Sequence, residues 1–180
     1  GTYDATETIV FGEAESGKNG HTITYTGKDR AITAESTANG ANLTVKNLTV
    51  AAANAERGIN YNANGRLHLE GVKFTGTAPT YAVNFPGKAD NSYVTINDCE
   101  LTGNIALNVW GANMRIDVEN SVLTSVDNTT AEGYSAIKLN NDGSTVANGT
   151  VISIKNSRVI ATDEKGEPAS ALYNASDSGK

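Results

Sequence analysis

Four side chains have the types and spacing that glycosidic-bond chemistry uses: His68, Glu70, Asp117 and Glu119. Each sits in a short stretch of alternating apolar and polar residues, so His68 and Glu70 share one strand face, and Asp117 and Glu119 share another. Strands stacked two coils apart would hold the two pairs roughly 9–10 Å from one another, with Asn97 between. That separation suits a pair in which one carboxyl protonates a leaving group and the other activates water. The same positions also describe a solvated sheet face, where Lys46 offsets Glu70 and Lys155 offsets Glu119. The solvated face is the preferred reading, and the four residues are kept as weak catalytic candidates.

A second set of residues suits binding. Trp110 follows the apolar position Val109, so alternation turns it outward at a strand end. Tyr81 and Tyr93 fall in what reads as neighbouring loop positions, and Tyr134 precedes another apolar segment. Flat aromatic faces stack on sugar rings while nearby polar groups fix hydroxyls, so these four are the expected ligand-binding residues. The competing role is packing over the coil edge.

One cysteine, Cys99, excludes an internal disulfide or a multi-Cys metal site, and two histidines are too few for a His-rich centre. Cys99 falls on an apolar column beside Leu48 and Val72, where a buried, inert thiol is expected. The runs Asn140–Gly143 and Asp163–Glu167 have turn chemistry open to calcium but lack the ligand spacing of a known loop. No metal and no cofactor is assigned, with calcium left as an alternative.

These residues are positioned by a repeat. An apolar–x–apolar segment, a corner residue and a second apolar segment recur as Leu43, Val45, Asn47, Leu48, Val50 and as Leu67, Leu69, Gly71, Val72, Phe74. They return as Val94, Ile96, Asp98, Cys99, Leu101, as Ile116, Val118, Asn120, Ser121, Leu123, and as Ile152, Ile154, Asn156, Ser157, Val159. A weaker first copy is read at Ile23, Tyr25 and Gly27. Between copies lies a small–apolar–x–apolar motif, in which Gly58, Ala82, Ala106 and Ala136 precede Ile59, Val83, Leu107 and Ile137. Period-two alternation makes short strands with one buried face, and Asn, Gly or Asp at the corner tolerates left-handed backbone. Four Asn-Gly pairs fall in phase with the repeat, as corners between coils rather than hairpin turns of a sandwich. The expected fold is all-β: a right-handed parallel β-helix of about six coils. It forms one domain over 1–180, in which 1–20 are an N-terminal cap or first partial coil. The run from Ala51 to Arg57 is the best place for a helical turn.

Strand, corner, strand and then a small–apolar–x–apolar strand resembles the right-handed parallel β-helices of the pectate-lyase-like superfamily, over about residues 20–175. The resemblance implies architecture and no particular chemistry, because that superfamily holds lyases, hydrolases, esterases, tailspikes and non-catalytic adhesins. Its lyases require a calcium-binding acidic cluster with an exposed Arg or Lys base, and its hydrolases require grouped Asp residues. Neither pattern is present, since the outward columns are mostly Thr, Asn and Ser. The Asn60, Asn84, Asn108 series, read as outward-facing, is expected to stack as hydrogen-bonded amides rather than to contact ligand.

A net charge of -6 and a pI near 4.9, with scattered Lys and Arg, argue against nucleic acid. No run approaches the roughly 18 apolar residues of a membrane span. The expectation is a non-catalytic, adhesin-like module of a larger exported bacterial protein, secreted or on the cell surface. Its partners would be a glycan or another surface ligand, and other domains of the same protein. The alternatives are a polysaccharide lyase or glycoside hydrolase acting on an acidic or host glycan, and a structural spacer.

Overall fold

The computed structural model describes residues 8–11, 21–35, 41–75, 79–127, 135–141, 147–163 and 170–175. Six coils follow one another, each of three strands. The first holds β1 (Thr8–Phe11), β2 (His21–Thr24) and β3 (Arg30–Glu35), and the second β4 (Ala41–Lys46), β5 (Leu48–Ala51) and β6 (Arg57–Asn62). The third holds β7 (Gly65–Glu70), β8 (Lys73–Thr75) and β9 (Tyr81–Phe85), and the fourth β10 (Tyr93–Asn97), β11 (Glu100–Gly103) and β12 (Ile105–Val109). The fifth holds β13 (Arg115–Glu119), β14 (Val122–Asp127) and β15 (Ser135–Leu139), and the sixth β16 (Val151–Lys155), β17 (Arg158–Asp163) and β18 (Ser170–Asn174). Equivalent strands pair in parallel into three six-stranded sheets, so the chain is a parallel β-helix.

The corner between the first and second strands explains the regularity. Asn47, Gly71, Asp98, Asn120 and Asn156 all adopt the left-handed conformation, with φ of 49°, 63°, 51°, 50° and 49°. That geometry turns each peptide N–H toward the next coil: Asn47 donates to the Glu70 carbonyl at 2.8 Å and Gly71 to the Asn97 carbonyl at 3.0 Å. Asn91 and Asn113 take the same conformation just before β10 and β13, without a following glycine to mark them.

Inside, the alternating apolar residues pile into one continuous column. Leu67, Leu69, Val94, Ile96, Ile116 and Val118 of the first sheet meet Ile59, Val83, Leu107 and Ile137 of the third, all buried. Tyr61 and Phe85 pack edge to face at 6.4 Å between ring centroids. The Tyr61 hydroxyl donates to the Ala41 carbonyl at 2.6 Å, so a polar atom in the core is satisfied. The small position has a steric cause: a Cβ on Gly58 would collide with the Phe74 ring and lie 2.7 Å from the Ala82 carbonyl oxygen.

Just after the corner, the column Leu48, Val72, Cys99, Ser121 changes from apolar to polar. The Ser121 hydroxyl donates to the Glu119 carbonyl at 2.7 Å and accepts from the Cys99 N–H at 3.1 Å. Ser157 repeats the pattern, donating to the Lys155 carbonyl at 2.8 Å and accepting from the Ser121 N–H at 3.0 Å. Cys99 makes the corresponding bond through sulfur, to the Asn97 carbonyl at 3.1 Å. Burial pushes its thiol up to about 12, consistent with an inert side chain.

Two expectations are corrected. Ile23 does not belong to the first strand of a coil: β2 pairs with β5, placing His21 beside Leu48 and Ile23 beside Val50 in the second sheet. The first-sheet partner of β4 is β1, with Val10 beside Thr44. Alternation alone fits both sheets, so the motif could not tell them apart. The segment from Ala52 to Ala55 is a turn closed by an Ala55 N–H to Ala52 carbonyl bond at 3.0 Å, and a 3-10 turn forms instead at Gly87–Ala89.

Candidate functional site

On the first sheet, the catalytic candidates stand in the expected columns. His68 lies beside Thr95, which lies beside Asp117, while Glu70, Asn97 and Glu119 form the next column. Each carboxylate is engaged. Lys46 Nζ reaches Glu70 Oε2 at 3.1 Å, and His68 Nε2 reaches the same oxygen at 3.1 Å. Lys155 Nζ reaches Glu119 Oε1 at 2.8 Å. Arg115 Nε and the Tyr93 hydroxyl both donate to Asp117 Oδ2 at 3.0 Å. The His68 hydrogen bond, helped by Lys46, holds Glu70 below the usual carboxylate range. The Arg115 hydrogen bond does the same for Asp117. A general acid at neutral pH needs the opposite shift. The groove between β10, β13 and β16, about 310 Å³, is therefore walled by charge pairs.

The third sheet differs. Ile59 and Tyr61 point into the core, so Asn60 lies on the opposite face, in one column with Asn84 and Asn108. This outward column is nonetheless buried, with Asn60, Asn84 and Asn108 only 1%, 4% and 3% exposed. The amides form a ladder running one way. Asn84 Nδ2 donates to Asn60 Oδ1, Asn108 Nδ2 to Asn84 Oδ1, and Asn140 Nδ2 to Asn108 Oδ1, each at 2.7 Å. Stacked strands bring the equivalent side chains of Asn60, Asn84 and Asn108 to hydrogen-bonding distance, whereas Asn140 joins from just past β15, the register partner of Asn108 being Lys138.

Over this floor opens a cleft of about 350 Å³, lined by Glu56, Arg57, Tyr81, Asn84, Asn108 and Trp110, with Pro86 and Gly87 on its wall. Register builds its two ends. Arg57 of β6 pairs with Tyr81 of β9 at the start of the strands. Trp110 follows the last residue of β12, and its N–H donates to the Phe85 carbonyl at 2.8 Å. The Arg57 guanidinium is held by Glu56 at 3.0 Å and Asp29 at 3.3 Å, while its buried Nε has no acceptor among the described residues. The cleft thus joins two aromatic rings, a cation, a carboxylate and an amide floor, the mixture of apolar faces and placed polar groups found in small-ligand sites.

Of the four aromatic candidates, the structure brings Trp110 and Tyr81 together and separates Tyr93. Tyr81 and Tyr93 are not loop residues but open β9 and β10, on different sheets. Tyr93 packs under the Arg115 guanidinium, 5.9 Å from the ring centroid. Tyr134 lies outside the described residues, as do Asp142, Gly143 and residues 164–167 of the two turn-rich runs. Among the described residues, no group of three or more His, Cys, Asp or Glu is placed to hold a metal ion, and no helix is long and apolar enough to cross a membrane. Glu56 and Arg57 went unnoticed in the sequence, although aligning the small–apolar–x–apolar copies places Arg57 and Tyr81 in one column. Compared with known proteins, the chain matches no family model, no curated protein and no solved structure.

Proposed function

We propose that this chain is a non-catalytic, adhesin-like surface module that binds carbohydrate in the cleft between Tyr81 and Trp110. The observation that carries the reading is the pairing of two aromatic side chains with Arg57 and Glu56 above an amide floor. A pyranose ring stacks on the Trp110 face, and the Glu56 and Arg57 side chains fix its hydroxyls. The buried Asn ladder keeps the floor rigid, so binding costs little reordering. The acidic, polar surface suits an exported protein. The order of strands and corners supports a place among the pectate-lyase-like β-helices.

The test is a glycan array followed by calorimetry on the best hit. Trp110→Ala is expected to weaken binding at least tenfold and Tyr81→Ala to weaken it measurably, while Tyr93→Ala leaves it unchanged. Equal affinity of Trp110→Ala and the parent chain would sink the assignment. The rival is a polysaccharide lyase or hydrolase on the first sheet, favoured by the in-register Glu70 and Glu119. Ultraviolet-absorbing or reducing products from pectin, alginate or glycosaminoglycans, abolished by Glu119→Gln, would establish it.

A further inference from the structure

Cations on the first two sheets are answered by carboxylates: Lys46 by Glu70, Arg115 by Asp117, Lys155 by Glu119 and Lys73 by Glu100. In the cleft, Arg57 is held by Glu56 and Asp29. Lys138 of β15 departs from this pattern. Among the described residues no carboxylate pairs with its ammonium, which stands instead over the Tyr173 ring, 5.6 Å from the centroid.

The register gives Lys138 a defined place. Ile137 and Leu139 on either side of it are buried in the core, so Lys138 faces outward from the third sheet. Its partners in the flanking coils are Asn108 and Tyr173. Asn108 belongs to the cleft floor, so Lys138 stands one coil beyond that floor, in the fifth of six coils. One coil step is about 4.8 Å, which puts Lys138 about 10 Å from Asn84 along the helix axis. The side chain is half-buried, and the loss of water pulls its ammonium below the usual lysine range. The aromatic face offsets part of that loss but supplies no counter-charge. An anion seated there would supply it, through a charge-assisted hydrogen bond.

We propose that the cleft takes an acidic oligosaccharide lying along the helix axis, with a carboxylate or sulfate ester seated on Lys138. The proposal rests on the assignment of carbohydrate to the Tyr81–Trp110 cleft and adds the charge and length of the ligand. One sugar ring stacks on Trp110, and a neighbouring sugar, one coil further on, carries the anion. Arg57 does not serve that purpose, because Glu56 and Asp29 already match its charge.

Calorimetry on hits from an array of neutral, uronate-bearing and sulfated oligosaccharides tests this. The tightest hits are expected to be anionic. Lys138→Met is expected to weaken them about tenfold and to flatten their salt dependence, while leaving any neutral hit unchanged. Methionine keeps the aliphatic stem, and an unchanged circular dichroism spectrum shows the coil intact; Lys138→Arg is expected to retain the preference for anions. Carboxyl reduction or desulfation of the hit, whichever weakens the parent chain and leaves Lys138→Met unaffected, names the anion. Neutral sugars as the tightest hits, or equal anionic affinity in Lys138→Met and the parent, overturn the proposal; the cleft assignment then stands if Trp110→Ala still loses binding. Full binding by Trp110→Ala, or a blank array, overturns the cleft assignment and this proposal with it.

Discussion

Asn84 stands in the middle of the amide ladder, donating to Asn60 and accepting from Asn108, both at 2.7 Å. Asn84→Ala removes both bonds and leaves Asn60 Oδ1 and Asn108 Nδ2 without their partner in a buried column. A buried polar group left unsatisfied costs about 1–3 kcal/mol, so the substitution is expected to destabilise by about 3 kcal/mol. Water entering from the adjoining cleft offsets part of the loss and places the value toward the lower half of the summed range. Asn60→Ala breaks one ladder bond and is expected to cost about half as much. Urea unfolding followed by far-ultraviolet circular dichroism and by Trp110 fluorescence reads the difference. The two signals need to coincide before a free energy is drawn, because stacked coils need not unfold in one step. A cost below about 0.5 kcal/mol for Asn84→Ala, or a larger cost for Asn60→Ala, refutes the claim that the ladder is a buried, cooperative element.

Other outcomes follow from the same geometry. Cys99→Ser replaces a sulfur by the hydroxyl that Ser121 and Ser157 already use in that column, so its stability is expected within about 1 kcal/mol of the parent by thermal unfolding. Asn120→Val forces a β-branched residue to φ of 50° and is expected to cost about 1–3 kcal/mol in urea unfolding; Asn120→Gly is expected to cost less than half of that. Glu70 and Asp117 have depressed folded values, so their contribution is present above the unfolded carboxylate pKa of about 4 and is lost as pH falls through the folded values. The stability gap between the parent and Glu70→Gln or Asp117→Asn is therefore expected to narrow below about pH 4; a gap that widens in acid refutes it.

The coil was legible because its two signals are local. Alternation at Leu67 and Leu69 or at Ile116 and Val118 fixes which side faces the core, and Asn47, Gly71, Asp98, Asn120 and Asn156 mark where the backbone turns left-handed. From those two facts the columns Thr44–His68–Thr95–Asp117–Ser153 and Lys46–Glu70–Asn97–Glu119–Lys155 follow without coordinates, and the structure has them in that register. Where the corner signal fails, so does the assignment. Ile23 and Tyr25 alternate as well as any strand, and nothing in them says that Ile23 continues the second sheet.

The cleft was only half legible, for a reason of the same kind. Alternation gives the side of the sheet on which Asn84 and Trp110 lie, but not what the turns between strands lay over it. The segment after β9 runs through Pro86 and the 3-10 turn at Gly87–Ala89, and Pro86 and Gly87 wall the cleft over Asn84 and Asn108. That wall is set by turn geometry over non-repeating residues, where period-two reasoning is silent. The same turn separates Tyr81 from Tyr93 by carrying the chain from the third sheet to the first. A repeat therefore dictates every surface whose neighbours are one coil away, such as the paired charges of the first sheet. A surface completed by a turn, such as the Tyr81–Trp110 cleft, depends on residues that occur once. The distinct chemistry of this solenoid lies where the repeat is interrupted.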